Sequence, residues 1–465
     1  MSDYGKPKLG VLALMLEAYE PLFPGITSRQ ENYARSVLKE VAEAAEFVFP
    51  RAALNRQDIE ELTAQYNREN LDGILILLLT YSQGQYLVRA MQNNRLPLAL
   101  ALVQPDETVG DDFEELDLTV NQGIHGSQDN ANCLVRAGIR CSYFAGSRHG
   151  GDFRRFIGDF AKAAQTARVL KSMRIGVIGK LAGMGDLVAD DMAFFRVVGP
   201  EFCYDSIGTV HSCVESVTEE EISERVAVDR TIFDIDPKLS DESHRYAVRL
   251  YLGIKKYLEK GGYAGYSAHF EEFGADGRFR QLPLLAASHL MADGYGYAAE
   301  GDGVTAALVA AARCLCGNAN FSEMYMMDIA RNAILFCHAG EGNWATCMRG
   351  ARPRLIDRYL GEGGLENPPT PIFTPQPGPA TIAAITHLGA DRYRMVAAAG
   401  EMLPKSDIKK CEMPYFFFAP SSGAQGCATA WLKLGAPHHE AVMLGDQRGR
   451  LMQLCEILGI EYAEA

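Results

Sequence analysis

Short apolar runs alternate with amphipathic stretches along the first third of the chain. Lys8–Leu14 and Asp72–Leu79 are almost continuously apolar, which is typical of buried strands. Helical spacing of apolar positions marks Ser28–Ala45, with Ser28 as its predicted N-cap, and Asn55–Tyr66. Leu96–Val103 returns to strand. Strands and helices that alternate at this spacing predict βαβ units and a parallel sheet.

The same pattern predicts a second α/β domain and then a change of character. A helix through Phe153–Met173 leads to the apolar strand Arg174–Gly179, and an amphipathic helix follows at Asp241–Lys260. From Asn332 onward, short apolar runs are broken by Gly and Pro, as in a small barrel. We therefore predict α/β domains at residues 1–171 and 172–325, followed by a β-rich, barrel-like domain at residues 326–465.

Composition narrows the class of protein and its partners. Hydrophobic residues make up 48% and charged residues 22% of the 465 residues, the balance of a globular chain with an ample core. The net charge is −14 and there is no Lys/Arg-rich run, so we expect no nucleic-acid partner. We expect no signal peptide and no membrane span, because the apolar runs are far shorter than the ~18 residues required. Eleven cysteines without a CxxC pair predict reduced thiols in a cytoplasmic protein.

The segment around Glu300 is the first candidate for chemistry. A helix that ends near Asp293 meets Gly294, which suits a left-handed cap. A short strand, Tyr295–Ala299, then places Glu300 just before a helix that Asp302 can cap. An acidic residue at such a position usually serves only as a cap, so a functional role for Glu300 requires partners.

Three later segments could supply those partners. Glu323 lies among apolar and aromatic residues, where an unpaired carboxylate would be costly to bury. His338 ends an apolar strand, although a core histidine is more often structural. His438 and His439 are adjacent, so in an extended segment their side chains point to opposite faces and only one is expected to join a given site. Two carboxylates and two imidazoles form an oxygen/nitrogen site that suits Mn²⁺, with Co²⁺, Mg²⁺ or Fe²⁺ as alternatives.

A glycine-rich stretch, Gly176–Gly185, follows a predicted strand and invites comparison with dinucleotide-binding loops. Its spacing is not G-x-G-x-x-G, and it lacks the G-K-[ST] ending of a phosphate loop. A tight turn after the strand, in which glycine relieves steric limits, is the favoured interpretation.

Taken in order, these motifs resemble those of L-arabinose isomerases and their relatives, enzymes that interconvert aldoses and ketoses. The matching segments are Thr80–Ser82, Asn121–Gly126, Arg280–Leu284, Leu290–Tyr297 with Glu300–Asp302, Phe321–Tyr325, Ile334–His338 and the pair His438–His439. The resemblance implies two Rossmann- or flavodoxin-like α/β domains, a β-rich C-terminal domain, and assembly into a trimer or hexamer.

The resemblance also implies roles for individual residues. The family's Mn²⁺ ligands correspond to Glu300, Glu323, His338 and His439, with His438 as the alternative to His439. The two glutamates also serve the family as acid and base. His125 matches a histidine that these enzymes supply to the active site of a neighbouring subunit. The remaining residues expected to contact the sugar are Tyr81, Gln122, Met184, Phe270 and His438.

Some positions depart from the family pattern. Gly303 and Val304 stand where Trp and Lys are usual after the Glu-Gly-Asp segment. Leu-Glu-Ala-Tyr19 replaces a Gln-His-Leu-Tyr segment that touches the sugar, and Glu341-Gly-Asn-Trp344 follows His338 in place of an apolar stretch. The metal-binding motif is kept while the substrate-facing detail differs. The sugar is therefore left open among pentoses, 6-deoxyhexoses, tetroses, and branched or modified sugars.

The sequence thus predicts a metal-dependent aldose–ketose isomerase. Glu300 and Glu323 would move protons through a cis-enediol, with a metal-assisted hydride shift as the alternative mechanism. Two other functions stay open at this point. One is a non-catalytic sugar-binding protein of the same fold, and the other is a nicotinamide-dependent oxidoreductase that uses the glycine-rich stretch.

Overall fold

The computed structural model describes residues 4–360, 364–404, 408 and 410–465. The chain forms two compact units. The first extends to Arg168 and includes Met452–Gly459 from near the C-terminus. The second comprises Val169–Leu451 and Ile460–Ala465.

The first unit is built on a five-stranded parallel sheet. Its strands are β1 (Lys8–Leu14), β2 (Glu46–Val48), β3 (Gly73–Leu78), β4 (Leu98–Leu102) and β5 (Ser142–Ala145). The strand order β2-β1-β3-β4-β5 is that of flavodoxin-like folds. β1 and β3 carry almost only buried residues, so the predicted two-sided burial of these strands is confirmed.

Helices connect these strands. Two of them, on either side of Asn121 and Gln122, were not predicted from the sequence. The helices are α1 (Tyr19–Leu22), α2 (Ile26–Glu40), α3 (Arg56–Arg68), α4 (Gly84–Met91), α5 (Glu115–Val120), α6 (Gly123–Arg136) and α7 (Gly151–Lys171). The N-cap prediction at Ser28 is wrong. Gly25 caps α2 at φ 91° without a side-chain bond, and the Glu20 carboxylate accepts from the backbone N–H groups of Gly25 and Thr27 instead.

The second unit begins with a smaller parallel sheet. Its strands are β6 (Arg174–Ile178), β7 (Glu201–Tyr204), β9 (Gly265–Ala268) and β10 (Gly296–Ala299), in the order β10-β9-β6-β7, while β8 (Asp234–Ile235) belongs to another sheet. The helices of this region are α8 (Asp191–Val197), α9 (Ile207–Glu215), α10 (Glu219–Ile232), α11 (Asp241–Gly261), α12 (Phe270–Asp276), α13 (Leu284–Asp293) and α14 (Gly303–Cys316).

The helix boundaries around Glu300 agree with the sequence prediction. α13 ends at Asp293, and Gly294 takes the left-handed cap at φ 95°. Asp302 caps α14, since its Oδ1 accepts from the backbone N–H of Thr305 at 3.0 Å. Glu300 therefore lies in the short turn between β10 and α14.

The C-terminal part is a closed antiparallel barrel. Its strands are β11 (Ala319–Asp328), β12 (Ala333–Cys337), β15 (Gly378–His387), β16 (Tyr393–Met402), β17 (Tyr415–Pro420) and β18 (His439–Leu444), and the sheet closes where β15 pairs with β16. The helix α15 (Ala424–Leu434) accompanies it, and β19 (Glu461–Glu464) adds to β16 in parallel. Between them along the chain, α16 (Arg448–Leu458) runs from the second unit into the Met452–Gly459 segment of the first. β13 (Arg354–Asp357) and β14 (Pro369–Ile372) form a small separate sheet with β8.

The predicted fold class, α/β domains followed by a β-rich barrel, is confirmed. Inside the barrel the core includes Phe336, Ile382, Val396, Phe418 and Val442, all almost completely buried. Within the described part of the chain, no helix is both long enough and apolar enough to cross a membrane.

Close packing of β10 on α14 gives a stability prediction. A Cβ at Gly296 would overlap the carbonyl oxygen of Ala306 and lie 2.7 Å from the Cβ of Ala310. Gly296→Ala should therefore lower the free energy of unfolding by about 1–3 kcal/mol, measured by chemical denaturation. The matched control is Gly158→Ala within α7, where a Cβ meets nothing within 4 Å. That variant should gain about 0.5–1 kcal/mol, because alanine is the better helix former. Equal effects in the two variants would contradict the packing argument.

Candidate functional site

The carboxyl ends of three neighbouring parallel strands define one side of the site. Met184 follows β6, Phe270 follows β9 and Glu300 follows β10. In open α/β sheets this edge is where ligands bind, close to the point at which the strand order reverses. The barrel strands β11, β12 and β18 supply the other side.

The turn that carries Glu300 has an unusual backbone. Glu300 has φ 65° and Gly301 has φ 84°, so two consecutive residues occupy the left-handed region. A non-glycine residue held there costs of order 1–3 kcal/mol. The glycine-rich loop holds the turn, because the N–H of Leu181 donates to the carbonyl of Glu300 at 3.0 Å and a Cβ on Gly301 would overlap the carbonyl of Gly179. The glycine-rich stretch thus acts as a tight turn against the Glu300 backbone.

The register of the barrel places Glu323 between two histidine-bearing strands. On β11, Glu323 is directly opposite His439 of β18 and Cys337 of β12, and His338 immediately follows Cys337. Glu323 Oε1 lies 3.2 Å from His338 Nε2 and 3.1 Å from His439 Nε2. His439 Nε2 is in turn 3.5 Å from Glu300 Oε2. The four residues predicted as metal ligands are therefore neighbours in space.

Both histidines of the adjacent pair reach the site, so the expectation that only one could do so is wrong. His438 precedes β18, and strand alternation does not govern its side chain. Its Nε2 lies 3.9 Å from Glu300 Oε2, and the two imidazole centroids are 4.4 Å apart. One potential ligand atom each from Glu300, His438 and His439 lie within 4.8 Å of one another. His439 is fully buried, while His438 has 39% of its side chain exposed.

Each of the three imidazoles has a carboxylate at its Nδ1. Glu341 Oε2 lies 2.7 Å from His338 Nδ1, Asp302 Oδ2 lies 3.0 Å from His439 Nδ1, and Asp186 Oδ2 lies 2.6 Å from His438 Nδ1. An ionised carboxylate only accepts hydrogen bonds, so each Nδ1 donates. The Nε2 atoms are the ones directed at Glu300 and Glu323, an arrangement that recurs around metal-binding histidines.

The ring of Phe321 packs against the imidazoles of His338 and His439 and holds their planes in place. Its ring is fully buried, two residues before Glu323 on the same face of β11. It packs edge-on against His338 at 5.0 Å, against His439 at 4.9 Å and against Tyr297 at 5.6 Å between centroids. Aromatic packing of this kind restricts both rings to one orientation.

The charges of the site shift its pKa values strongly. Burial disfavours the ionised form of Glu323, but the imidazoles of His338 and His439 beside its carboxylate outweigh it and lower the pKa of Glu323 to about 2. Burial likewise opposes the charged form of His338, yet Glu341 and Glu323 raise the pKa of His338 to about 10. The pKa of His439 is also raised well above its usual value, because Asp302, Glu300 and Glu323 overcome the effect of burial. The acidic groups thus strongly stabilise positive charge in the site.

The excess of negative charge in the site is consistent with a bound divalent cation. Four carboxylates, those of Glu300, Asp302, Glu323 and Glu341, surround two buried imidazoles and have side-chain exposures of 13% or less. Among the described residues no lysine or arginine forms an ion pair with any of the four, so two negative charges stay uncompensated even when both imidazoles are protonated. Glu300 Oε2 and His439 Nε2 are also buried without hydrogen-bond partners. The donor set of oxygen and imidazole nitrogen fits Mn²⁺ and related ions.

A cavity of about 370 Å³ opens beside these groups. The predicted residues Met184, Phe270 and His438 line it together with Glu300 and Glu323. The apolar part of its lining includes Leu181, Phe273, Leu282, Pro283 and Leu284. Further polar groups on the wall come from Tyr266, Tyr297, Tyr325 and Glu341. The cavity therefore combines a polar end, at the carboxylates and imidazoles, with an apolar remainder.

The other three predicted sugar-contacting residues belong to the first compact unit. Tyr81 follows β3 and donates its hydroxyl hydrogen to Asp129 at 2.9 Å. Gln122 accepts from the hydroxyl of Tyr19 at 2.7 Å, and its amide nitrogen lies 3.1 Å from His125 Nδ1. His125 is exposed in the first turn of α6.

Sequence reasoning missed the residues that hold the histidines. Asp302 was predicted only as a helix cap, but its second carboxylate oxygen also binds His439. Glu341 was noted only as a departure from a family pattern, although its spacing of three residues from His338 was a usable signal. Nothing local marks Asp186, which lies 252 positions before His438.

Two family models match consecutive parts of the chain. The model of the L-arabinose isomerase central domain matches residues 165–318, and the model of the C-terminal domain matches residues 318–461. The L-arabinose isomerase of Clostridium beijerinckii is 26% identical, over 96% of this chain and 94% of that enzyme. The L-arabinose isomerase of Acidothermus cellulolyticus is 28% identical, over 84% of this chain and 79% of that enzyme.

Similarity to a solved structure is much weaker. A periplasmic solute-binding protein of Actinobacillus succinogenes with bound D-allose covers 65% of this chain and 88% of its own at 12% identity, and the TM-score of 0.18 carries no argument. The family matches, in contrast, include the barrel and the strands that bear Glu300, Glu323 and both histidine positions. The chain therefore belongs to the L-arabinose isomerase family and is an aldose–ketose isomerase.

Proposed function

We propose that this isomerase is metal-dependent and transfers protons through a cis-enediol, with Glu300 and Glu323 as its acid–base pair. One observation carries the proposal. Both carboxylates line the same cavity, each with 13% of its side chain exposed, and the Nε2 atom of His439 lies within 3.5 Å of an oxygen of each. Neither a sugar-binding protein nor a nicotinamide enzyme requires this combination.

The ligands of the ion would be Glu300, Glu323, His338 and His439. Mn²⁺ is the favoured ion, with Co²⁺, Mg²⁺ or Fe²⁺ as alternatives, because the donors are oxygen and imidazole nitrogen without thiolate. When bound, a divalent ion would polarise the carbonyl of the sugar and stabilise the enediolate. The uncompensated negative charge and the two unpartnered buried atoms support this assignment.

The two glutamates would divide the proton transfers between them. One carboxylate removes the proton from C2 of the aldose, and the resulting carboxylic acid returns a proton to C1 of the ketose. The other carries a proton from the hydroxyl at O2 to the carbonyl oxygen at O1, so no external oxidant or reductant is needed. Phe270 and Met184, which line the same cavity, would contact the sugar beside the two carboxylates.

The lining of the cavity favours a neutral sugar. Among the described residues that line it, three are glutamates and none is lysine or arginine, so a phosphate or carboxylate on the substrate would be repelled. Tyr266 is fully buried on this wall, and its hydroxyl has no hydrogen-bond partner. We infer an unphosphorylated aldose. The direct test incubates the Mn²⁺-loaded protein with a panel of free and phosphorylated aldoses and ketoses, with products identified by NMR.

The active assembly would be a homo-oligomer, a trimer or hexamer. His125 is exposed on α6 beside Ile124, which is 50% exposed, and Leu118 nearby is 57% exposed. Apolar side chains exposed next to a polar candidate residue suit a surface covered by another subunit. In this arrangement His125 would hydrogen-bond a sugar hydroxyl in the site of its neighbour.

Metal removal provides the first test of the proposal. Treatment with EDTA should abolish isomerisation, and Mn²⁺ or Co²⁺ should restore it best, because the donors match these ions. Binding to the folded state alone should also raise the melting temperature with increasing metal concentration. Full turnover by chelated protein would remove the metal from the proposal.

Substitution of the carboxylates tests their role in proton transfer. Glu300→Gln and Glu323→Gln keep the side-chain shape but remove the base, so each should lower kcat by at least ~10²-fold. The exposed Glu259, at the end of α11, provides the control, and Glu259→Gln should keep wild-type turnover. Circular dichroism checks that the variants fold, and wild-type turnover in either active-site variant would exclude that residue from the mechanism.

The wild-type enzyme also separates the two mechanisms when the reaction is run in D₂O. Transfer through an enediol incorporates deuterium at C1 of the ketose, because the carboxylic acid exchanges with solvent before it returns the proton. A hydride shift incorporates none, and that result would overturn the enediol.

Mixed oligomers test the position assigned to His125. His125→Ala should raise KM or lower kcat with the metal still bound, because an unpaired polar group in the site costs about 1–3 kcal/mol. When the weakened His125→Ala and the inactive Glu300→Gln oligomers are dissociated and reassembled together, some interfaces pair an intact His125 with an intact Glu300, and activity should rise above that of either parent. Mass spectrometry establishes that mixed oligomers have formed. If those oligomers show no such gain, the site lies within one chain.

A further inference from the structure

Glu341 occupies an enclosed position beside His338. Its side chain is 5% exposed, and both carboxylate oxygens are bonded. Oε2 lies 2.7 Å from His338 Nδ1, and Oε1 accepts from the hydroxyl of Tyr297 at 2.6 Å. A buried carboxylate is costly unless its partners compensate it. Here the partners are one imidazole and one phenol, with no lysine or arginine among the described ion pairs of Glu341.

The backbone that carries this carboxylate is held in place. The three residues after Glu341 each bond to α13 or β11: the N–H of Gly342 donates to Ser288 at 3.1 Å, the N–H of Asn343 donates to Asn320 at 2.7 Å, and Trp344 Nε1 donates to His289 at 3.1 Å. Gly342 and Asn343 are buried. The segment therefore fixes Glu341 relative to His338 instead of letting it follow the imidazole.

We infer that Glu341 is a positioning residue, which holds His338 with its hydrogen on Nδ1 and its Nε2 lone pair towards the site occupied by the metal. This inference rests on the proposed function. A carboxylate on the far nitrogen of a metal-binding histidine fixes the tautomer and the ring plane, and it makes the binding nitrogen more basic. Tyr297 completes the arrangement, because its bond to Oε1 leaves Oε2 for the imidazole.

Substitution of Glu341 has fewer side effects than substitution of Asp302 or Asp186, the carboxylates bound to the other two imidazoles. Asp302, on His439, also caps α14, so its substitution would disturb a helix as well. Asp186, on His438, has 42% of its side chain exposed, and solvent would partly replace it. Glu341 has neither complication.

The experiment measures Mn²⁺ binding to the metal-free full chain without sugar. Glu341→Gln keeps the shape of the side chain but removes its charge, and should weaken Mn²⁺ binding about 10–100-fold, read from the EPR signal of free Mn²⁺. Because Glu341 does not transfer a proton in the proposed mechanism, kcat should return towards the wild-type value when Mn²⁺ is raised to saturation. A purely structural role would instead lower stability and kcat without a selective loss of metal affinity.

A carboxylate–histidine pair outside the cavity supplies the matched control. Glu215, at the end of α9, has a side-chain exposure of 65% and lies 3.9 Å from His211 Nε2, and neither residue lines the cavity, so Glu215→Gln removes a carboxylate beside a histidine without touching the site. Its Mn²⁺ affinity should equal that of the wild type. Should Glu341→Gln not fold, Glu341→Asp, which retains the charge but shortens the reach, should show an intermediate loss.

The outcomes distinguish the inference from the proposal on which it depends. Wild-type Mn²⁺ affinity in a folded Glu341 variant overturns the positioning role and leaves the metal-dependent isomerase intact. A wild-type chain that binds no Mn²⁺ overturns the proposed function itself. A kcat that stays low at saturating Mn²⁺ also overturns the inference, because Glu341 would then act on the reaction and not through His338.

Discussion

The site depends on the hydrogen-bond register of one barrel strand. β11 pairs with β18 on one side and β12 on the other, and this puts Glu323 beside His439 and one residue from His338. Side chains alternate along a strand, so a slip of one residue would turn Glu323 away from both histidines and would turn Phe321 away with it. The closure of the barrel between β15 and β16 leaves no free edge between these strands at which such a slip could begin. The barrel thus acts as a rigid frame for groups that are 116 positions apart in the chain, as Glu323 and His439 are.

The parallel sheet of the second unit supplies the carboxylate of Glu300, which is positioned by the backbone of a turn and not by strand register. Glu300 follows β10 in a turn fixed by the glycine-rich loop, and Asp302 in the same turn binds His439. One short segment therefore supplies both a group that lines the cavity and the anchor of a histidine from the barrel. Charge and packing act together here, because Phe321 restricts the imidazole planes while Glu341 and Asp302 fix which nitrogen carries the hydrogen.

The fold was predictable where local periodicity is strong. β1 and β3 are nearly continuous in apolar residues, and the caps at Gly294 and Asp302 obey local rules. Failures occurred where a distant or non-repetitive contact decides the outcome. Glu20 supplies the carboxylate at the start of α2 in place of Ser28, and strand alternation does not extend to His438. The resemblance drew attention to the four predicted ligands, whose roles stay a proposal, as do the predicted domain boundaries. The aspartates behind His438 and His439 depend on tertiary contacts that no spacing rule contains.

The backbone of Glu300 has a consequence for how the chain can evolve. A residue at φ 65° is strained unless it is glycine or, to a lesser degree, asparagine, so either replacement would relax the turn. Selection for thermal robustness alone would favour such replacements, and each would delete a carboxylate from the cavity. In the proposed mechanism, position 300 is thus a point at which heat tolerance and turnover oppose one another. Laboratory lineages screened only for survival at high temperature would be expected to relax this turn and to lose the proposed chemistry with it, while the barrel beside it stayed intact.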